Sequence, residues 1–162
     1  MIIIPARLAS TRFPQKILCD IGGIPMFIRS ALNAKKVDEV VLAVDSQETY
    51  DIAQKFNIKA IITPKEIPNG SLRVLEASRI LGLSDNEIII NLQADEPFLE
   101  NNVIESLKKS MEQANFMATC AKQIDEESAK NPNIVKVVLN HKKEAIYFSR
   151  SLIPYYRDIC DS

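Results

Sequence analysis

Glycine and histidine are scarce in this sequence of 162 residues, and their scarcity excludes two classes of nucleotide-dependent protein. The four glycines lie at positions 22, 23, 70 and 82, so they form neither a Gly-x-Gly-x-x-Gly fingerprint nor a Gly-Lys-Ser/Thr phosphate loop. A nicotinamide oxidoreductase and a P-loop ATPase are therefore not expected. The single histidine, His141, lies beside two lysines and far from a second metal ligand, so we expect it to be exposed and without a catalytic role.

Cysteine is also rare, and Cys19, Cys120 and Cys160 are far apart, with no Cys-x-x-Cys pair. We interpret them as unpaired thiols in a reducing compartment and predict a cytoplasmic protein. No apolar run approaches the length needed to cross a bilayer, and residues 1–7 lack the basic-then-apolar order of a signal peptide. The 20 Lys and Arg nearly balance the 21 Asp and Glu, so neither nucleic acid nor an anionic membrane is an expected partner.

Short apolar runs rich in Ile and Val alternate with amphipathic stretches along the chain. Such repetition is typical of a doubly wound α/β fold, whose parallel strands are covered on both faces. The predicted strands are residues 2–4, 40–44, 58–62, 88–92, 116–121, 135–139 and 145–149. The predicted helices follow Pro25 and span about 50–56, 74–81 and 102–113. We therefore predict one domain over residues 1–162, with a mostly parallel sheet first and a late antiparallel hairpin around residues 140–144.

The connection after the first strand is long and basic. It runs to Pro25, and up to Cys19 it contains three cations and no acidic residue. Ligands of parallel sheets bind beyond the carboxyl ends of the strands, which is where this loop begins. Guanidinium and ammonium groups bind phosphate oxygens, so the loop suits a polyphosphate, although a solvated surface loop would have a similar composition. The residues concerned are Arg7, Ser10, Thr11, Arg12 and Lys16.

A second polar stretch, Gln-Ala-Asp-Glu-Pro at residues 93–97, directly follows the predicted strand 88–92. Carboxylates at the carboxyl end of a strand are suitable ligands for Mg²⁺, which completes its shell with phosphates and water. The stretch also suits a polar turn in which the acidic pair caps a helix that begins at Pro97. The spacing by itself leaves both interpretations open.

Three motifs, taken together, resemble the CMP-Kdo synthetases, which are 3-deoxy-manno-octulosonate (Kdo) cytidylyltransferases. Residues 5–16 read Pro-Ala-Arg-x-x-Ser-Thr-Arg-x-Pro-x-Lys straight after an apolar strand, and residues 93–97 match Gln-[Gly/Ala]-Asp-Glu-Pro. Residues 147–154 read Tyr-Phe-Ser-Arg-x-x-Ile-Pro, and a hairpin explains their apolar side chains but not the whole motif. The resemblance covers essentially the whole chain, but only the N-terminal part of the family.

The resemblance implies a nucleotide-diphospho-sugar transferase-like fold that is incomplete at its C-terminus. It further implies transfer of CMP from CTP to Kdo with release of pyrophosphate, in lipopolysaccharide biosynthesis, with Mg²⁺ as cofactor and a homodimer as the assembly. By the same resemblance, Lys16 and Asp95 are catalytic, and Asp95 binds the metal. The nucleotide-binding residues would be Arg7, Ser10, Thr11, Arg12, Lys16, Ser71 and Arg73, and the sugar-binding residues would be Gln93 and Arg150.

The sequence departs from the family in two places. The family reads cytosine with His-x-Ser-Gly-Thr-[Asp/Glu]-Arg, whereas residues 67–73 here read Ile-Pro-Asn-Gly-Ser-Leu-Arg. The lost imidazole and carboxylate bear on the choice of base, because a base pocket depends on matched donors and acceptors. Family members also continue past Ser162 to a late Asp that helps hold the metal, so we expect little or no turnover from this chain. Two alternatives stay open: a truncated, non-catalytic remnant, and a nucleotidyltransferase for another sugar acid or base.

Overall fold

The computed structural model describes residues 1–8, 15–112, 114 and 116–154. The chain divides into two compact units, Met1–Ala118 and Thr119–Ser162, and each is described by itself. The expectation that residues 1–162 form one nucleotidyltransferase-like domain stays a prediction.

The first unit is built on a four-stranded parallel sheet. Its strands are β1 (Ile2–Ala6), β2 (Val40–Val44), β3 (Ala60–Ile62) and β4 (Ile90–Asn91), in the order β3-β2-β1-β4. Its helices are α1 (Met26–Ala34), α2 (Gln47–Lys55), α3 (Gly70–Ile80) and α4 (Asn101–Ser110), and a short 3₁₀ turn spans Lys16–Leu18. The predicted α/β fold with a mostly parallel sheet is confirmed, although β3 and β4 are shorter than their apolar runs.

The two faces of β1 bury different side chains, because successive residues of a strand point to opposite sides of the sheet. Ile2 and Ile4 belong to a large apolar cluster that includes residues of α1, α2 and α4. Ile3 belongs to a smaller cluster with Val74 and Ala77 of α3. Helices therefore cover both faces of the sheet, which explains why the strands are apolar throughout rather than alternating.

The strand order reverses direction at β1. This strand pairs in parallel with β2 on one side and with β4 on the other, so that Ile2 lies opposite both Val40 and Ile90. In open α/β sheets, the crevice at such a switch point is the usual place for a ligand. The loops that leave β1 and β4 at their carboxyl ends are therefore the first place to look for a functional site.

Capping side chains decide where two of the helices begin. The hydroxyl of Ser46 accepts a hydrogen bond from the backbone N–H of Thr49 at 3.2 Å, at the start of α2. The side-chain oxygen of Asn69 accepts from the backbone N–H of Leu72 at 2.9 Å, so α3 begins four residues before the predicted start at 74. Of the helices that the structure describes, none is long and apolar enough to cross a membrane.

The second unit contains the hairpin that the sequence predicts. Helix α5 (Glu126–Lys130) precedes β5 (Lys136–Leu139) and β6 (Ala145–Ser149), which pair antiparallel. In the turn, the Asn140 side chain accepts from the backbone N–H groups of Lys142 and Glu144, both at 2.9 Å. The short helix α5 was not predicted from the sequence.

The predicted strand at residues 116–121 is wrong. The side chains of Phe116 and Met117 are 92% and 70% exposed, and the segment is irregular. An apolar run becomes a strand only where a neighbouring strand pairs with its backbone, and this run lies where the chain passes from one unit to the other. Its composition also fits a strand poorly, because Thr119 is its one β-branched residue.

A pH-dependent contribution to stability is expected from Asp38, next to the amino end of the sheet. Its carboxylate accepts hydrogen bonds from the Lys108 ammonium and, at 3.4 Å, from the amino terminus of Met1. The hydrogen bond from Lys108 is the main cause that lowers the pKa of Asp38 below its ordinary value of 3.8. The stabilisation is therefore present above the pKa of the unfolded chain and is lost as the pH falls through the folded value.

We predict that Asp38→Asn lowers the free energy of unfolding by ~1 kcal/mol at neutral pH. The difference from the unsubstituted protein should shrink as the pH falls below 4, which urea titrations across that range would measure. Glu39→Gln is the matched control, because the Glu39–Lys59 pair is exposed and should contribute little. A difference between Asp38→Asn and the unsubstituted protein that is independent of pH would contradict this account.

Candidate functional site

The switch point of the sheet carries a cleft that collects five of the residues selected from the sequence. Its lining includes residues that follow β1 and β4, the 3₁₀ turn and the first turns of α3. The selected residues in the lining are Arg7, Lys16, Arg73, Gln93 and Asp95. Three of these side chains are cationic and one is anionic, so the cleft has a positive excess.

Lys16 and Asp95 meet directly in this cleft. The Lys16 ammonium lies 2.8 Å from Oδ2 of Asp95, although the two residues are 79 positions apart in the sequence. The side chains remain 44% and 43% exposed, so the pair is accessible from solvent. The structure thus brings the basic loop after β1 and the carboxylate after β4 to the same edge of the sheet.

The two arginines of the cleft bind the same surface loop, residues 63–69, which leads into α3. Arg7 donates from Nη1 to the carbonyl of Pro68 at 3.0 Å. Arg73 donates from Nη1 to the hydroxyl of Thr63 and to the carbonyl of Pro64, and from Nη2 to the carbonyl of Ile67. The loop is therefore held from both ends by guanidinium groups.

Arg73 is 1% exposed and is the largest of the fully buried side chains. Burial lowers the pKa of Arg73 below its ordinary value, Asp45 opposes that shift, and Arg7 adds to it. A buried guanidinium needs acceptors for its fork of donors, and the 63–69 loop supplies them. The resemblance to the family implies a contact between Arg73 and the base, which stays a prediction; the side-chain hydrogen bonds of Arg73 in this structure go to the loop.

Asp45 is a residue of the cleft region that the sequence analysis missed. It directly follows β2, is buried, and its Oδ1 accepts from the backbone N–H of Leu8 at 3.2 Å. Its carboxylate therefore anchors the chain immediately after Arg7. The signal that drew attention to Asp95 was present here too, because both carboxylates follow the end of an apolar strand.

The start of α3 approaches the end of β1 closely because residue 70 is a glycine. A Cβ at Gly70 would lie 3.2 Å from Cγ of Pro5, which is tighter than ordinary packing.

Ser71 is exposed in the first turn of α3 and lies outside the cleft lining. Gln93 lines the cleft and donates from Nε2 to Oδ1 of Asn91 at 3.3 Å.

Arg150 lies in the second unit, next to the hairpin. Its Nη1 donates to the carbonyls of Pro132 at 3.0 Å and Asn133 at 3.4 Å. Its own carbonyl accepts from the buried ammonium of Lys136. The remaining selected residues, Ser10, Thr11 and Arg12, lie outside the described residues.

The suitability of this cleft for a divalent cation depends on Asp95. Among the described residues there is no group of three or more His, Cys, Asp or Glu that could hold a metal ion. A single carboxylate fits Mg²⁺ when phosphate oxygens and water complete its shell. Asp95 meets this requirement, because its carboxylate is accessible and already binds a cation, the ammonium of Lys16.

Comparison with known proteins assigns the chain to a family. Residues 1–161 match the cytidylyltransferase family. The chain belongs to this family. It is 58% identical over 158 residues to the 3-deoxy-manno-octulosonate cytidylyltransferase of Helicobacter pylori (strain ATCC 700392 / 26695), covering 98% of this chain and 65% of that protein. The corresponding enzyme of Wolinella succinogenes is 51% identical, with 100% of this chain and 69% of the relative covered.

A solved structure extends the comparison to three dimensions. CMP:2-keto-3-deoxy-manno-octonic acid synthetase complexed with CTP superposes with a TM-score of 0.88 and is 37% identical, covering 99% of this chain and 68% of the other. The chain spans 65% of the length of the H. pylori relative. The comparisons therefore show the family and the fold.

The contacts of Arg73 predict a role in stability without any ligand. Replacing it in Arg73→Met leaves the acceptors of Thr63, Pro64 and Ile67 without their donor, and we expect a loss of ~2 kcal/mol in the free energy of unfolding. Urea titration of the ligand-free protein measures this loss. Arg79→Met is the matched control on the same helix, because the Arg79 side chain is 69% exposed, and its effect should stay within ~0.5 kcal/mol. Equal effects of the two substitutions would contradict the assigned role.

Proposed function

We propose that this chain forms the CTP-binding part of an enzyme that transfers CMP from CTP to Kdo, giving CMP-Kdo and pyrophosphate for lipopolysaccharide biosynthesis. The observation that carries the proposal is the meeting of Lys16 and Asp95 in a cationic cleft at the switch point of the sheet. The names of the H. pylori and W. succinogenes relatives support the sugar, and the similar solved structure with CTP supports the nucleotide.

The phosphates of CTP would bind to the cationic side chains at the end of β1. Lys16 supplies an accessible ammonium, and Arg7 supplies a guanidinium at the cleft. Both groups bind phosphate oxygens well, the first as a point charge and the second as a planar fork. A role for Ser10, Thr11 and Arg12 in shaping this loop stays a prediction.

Asp95 is the residue that would hold Mg²⁺. When bound, Mg²⁺ supplies charge neutralisation on the phosphates. In the proposed reaction a hydroxyl of Kdo forms a bond to the α-phosphorus of CTP as the bond from that phosphorus to pyrophosphate breaks, and the hydroxyl proton passes to solvent. No covalent intermediate with the protein is formed. Lys16 and Arg7 would stabilise the negative charge that develops on the departing phosphates, since their cations are held at the cleft before the reaction begins.

The base would lie against the 63–69 loop and the start of α3. In this proposal Ser71 contacts the base directly, while the buried Arg73 supports the loop and meets the base only where its side chain lines the cleft. Of the positions that differ from the family pattern, Asn69 has a local structural role, because its side chain caps α3. The carbonyl of Ile67 accepts from Arg73, and this backbone contact does not depend on the side chain at residue 67.

Gln93 and Arg150 are each candidates for contact with the sugar acid, as the resemblance to the family implies. The side-chain amide of Gln93 lies in the cleft lining next to Asp95, and a guanidinium at residue 150 would pair with the carboxylate of Kdo. A homodimer and a location in the cytoplasm also remain predictions.

Nucleotide selectivity is the first test of the proposal. We expect CTP, and not ATP, GTP or UTP, to raise the melting temperature of this chain in the presence of Mg²⁺, as measured by thermal shift. Asp95→Asn should weaken the stabilisation, whereas Glu96→Gln, an exposed neighbour outside the cleft lining, serves as the matched control. Stabilisation by another nucleotide would favour a different base, and stabilisation by none would favour a non-catalytic remnant. Pyrophosphate release, which we expect to be small from this chain, should require CTP, Kdo and Mg²⁺ together, and equal release with ATP or UTP would refute the cytidylyl assignment.

The role of Arg150 separates sugar binding from nucleotide binding. Arg150→Ala should leave the thermal shift caused by CTP unchanged, because Arg150 is not among the residues assigned to the nucleotide. It should weaken binding of Kdo by about tenfold, because a charge-assisted hydrogen bond to the carboxylate is lost. Calorimetric titration of Kdo into the CTP-bound protein measures this effect. Lys142→Ala, an exposed cation in the same unit, is the control, and equal losses in the two variants would argue against a specific contact.

A further inference from the structure

The pairing of Lys16 with Asp95 suggests that the Lys16 ammonium and a divalent cation compete for the same carboxylate. We infer that Lys16 acts as an internal cation at Asp95, so that a divalent cation binds less tightly to the free protein than after a triphosphate has drawn the ammonium away. The inference deepens the proposed function, on which it rests for the identity of the triphosphate. The Lys16–Asp95 contact itself does not depend on the identity of the triphosphate.

The competition follows from the contact itself. The ammonium lies 2.8 Å from Oδ2 of Asp95, so it occupies one of the two oxygens that a divalent cation would use. A cation bound at Asp95 would lie within a few ångströms of the Lys16 charge, and two positive charges at that distance repel each other. Among the described residues, Asp95 belongs to no group of three or more His, Cys, Asp or Glu that could hold a metal ion, so no ready-made set of ligands compensates for this cost.

A triphosphate would relieve the competition by offering Lys16 another anionic partner. Of the three cations that line the cleft, Lys16 is the one that pairs with a carboxylate. Arg7 and Arg73 donate to carbonyls and a hydroxyl of the 63–69 loop, which are neutral acceptors. Lys16 is bound to the carboxylate, so its move to a phosphate frees the oxygen of Asp95. The binding free energies of nucleotide and metal are then coupled, and each ligand raises the affinity for the other by the same factor.

The expected size of the effect follows from the exposure of the pair. Both side chains are more than two fifths exposed, and accessible ion pairs of this kind contribute little in water. Removing the ammonium should therefore raise the affinity of the free protein for a divalent cation about two- to fivefold. An effect of this size is measurable by a direct titration. Substitution of Lys16 is not expected to change the fold, because its side chain is accessible.

The experiment is a titration of the protein with Mn²⁺ in the absence of nucleotide, with free Mn²⁺ measured by electron paramagnetic resonance. Lys16→Met removes the charge and keeps the length of the side chain, and Lys16→Gln is a second neutral variant. Both should bind Mn²⁺ about two- to fivefold more tightly than the unsubstituted protein. Lys16→Arg keeps the charge and should show no gain. Lys59→Met is the matched control, because Lys59 forms an exposed pair with Glu39, at 3.1 Å, outside the cleft.

Each result has a defined meaning. The inference is overturned if Lys16→Met and Lys16→Gln bind Mn²⁺ no more tightly than the unsubstituted protein, including the case in which none of them binds it. It is also overturned if Lys59→Met gives the same gain, or if Asp95→Asn in the Lys16→Met background keeps the gain. Failure of the proposed function would appear elsewhere, as the absence of stabilisation by CTP, and would leave a gain in Mn²⁺ affinity intact.

Discussion

The position of β1 between β2 and β4 is the constraint from which the cleft follows. β1 is fully buried and pairs in parallel with a strand on each side. Because parallel strands end at the same edge, the loop after β1 and the loop after β4 open next to each other. Lys16 and Asp95 can then meet even though 79 positions of sequence separate them. Without that strand order, the basic loop and the carboxylate would have no reason to share a cleft.

Burial divides the cations of the cleft into two kinds. Arg73 is enclosed and donates to the hydroxyl and carbonyls of the 63–69 loop, and its planar fork of donors suits several acceptors at once. Lys16 is accessible, and its compact ammonium can exchange one anionic partner for another at low cost. The guanidinium therefore contributes to the shape of the cleft, while the ammonium is free to respond to what enters it. Buried Asp45 completes this arrangement by anchoring the backbone next to Arg7.

The predictions from sequence succeeded where a segment carried its own signal. The run 40–44 is apolar throughout and forms β2 with the same limits, and the polar stretch at 140–144 forms the hairpin turn. They failed where the outcome depended on a neighbour. The run 116–121 is also mostly apolar but is exposed and irregular, and no strand pairs with it in the part of the chain that the structure describes. The early start of helix α3 has a local cause instead, the cap supplied by Asn69, which the apolar spacing of residues 74–81 does not reveal.

The sequence by itself determined the class of fold, the basic loop after β1 and the family to which the motifs belong, because periodicity and motif order are local properties of the chain. Only the tertiary structure decided which charges meet. The contact of Lys16 with Asp95, the turn of Arg73 towards the 63–69 loop and the anchoring of Leu8 by Asp45 all join residues from different elements. Such contacts depend on the order of the strands and on which groups each side chain can reach in the folded protein. The spacing of residues along the chain determines neither.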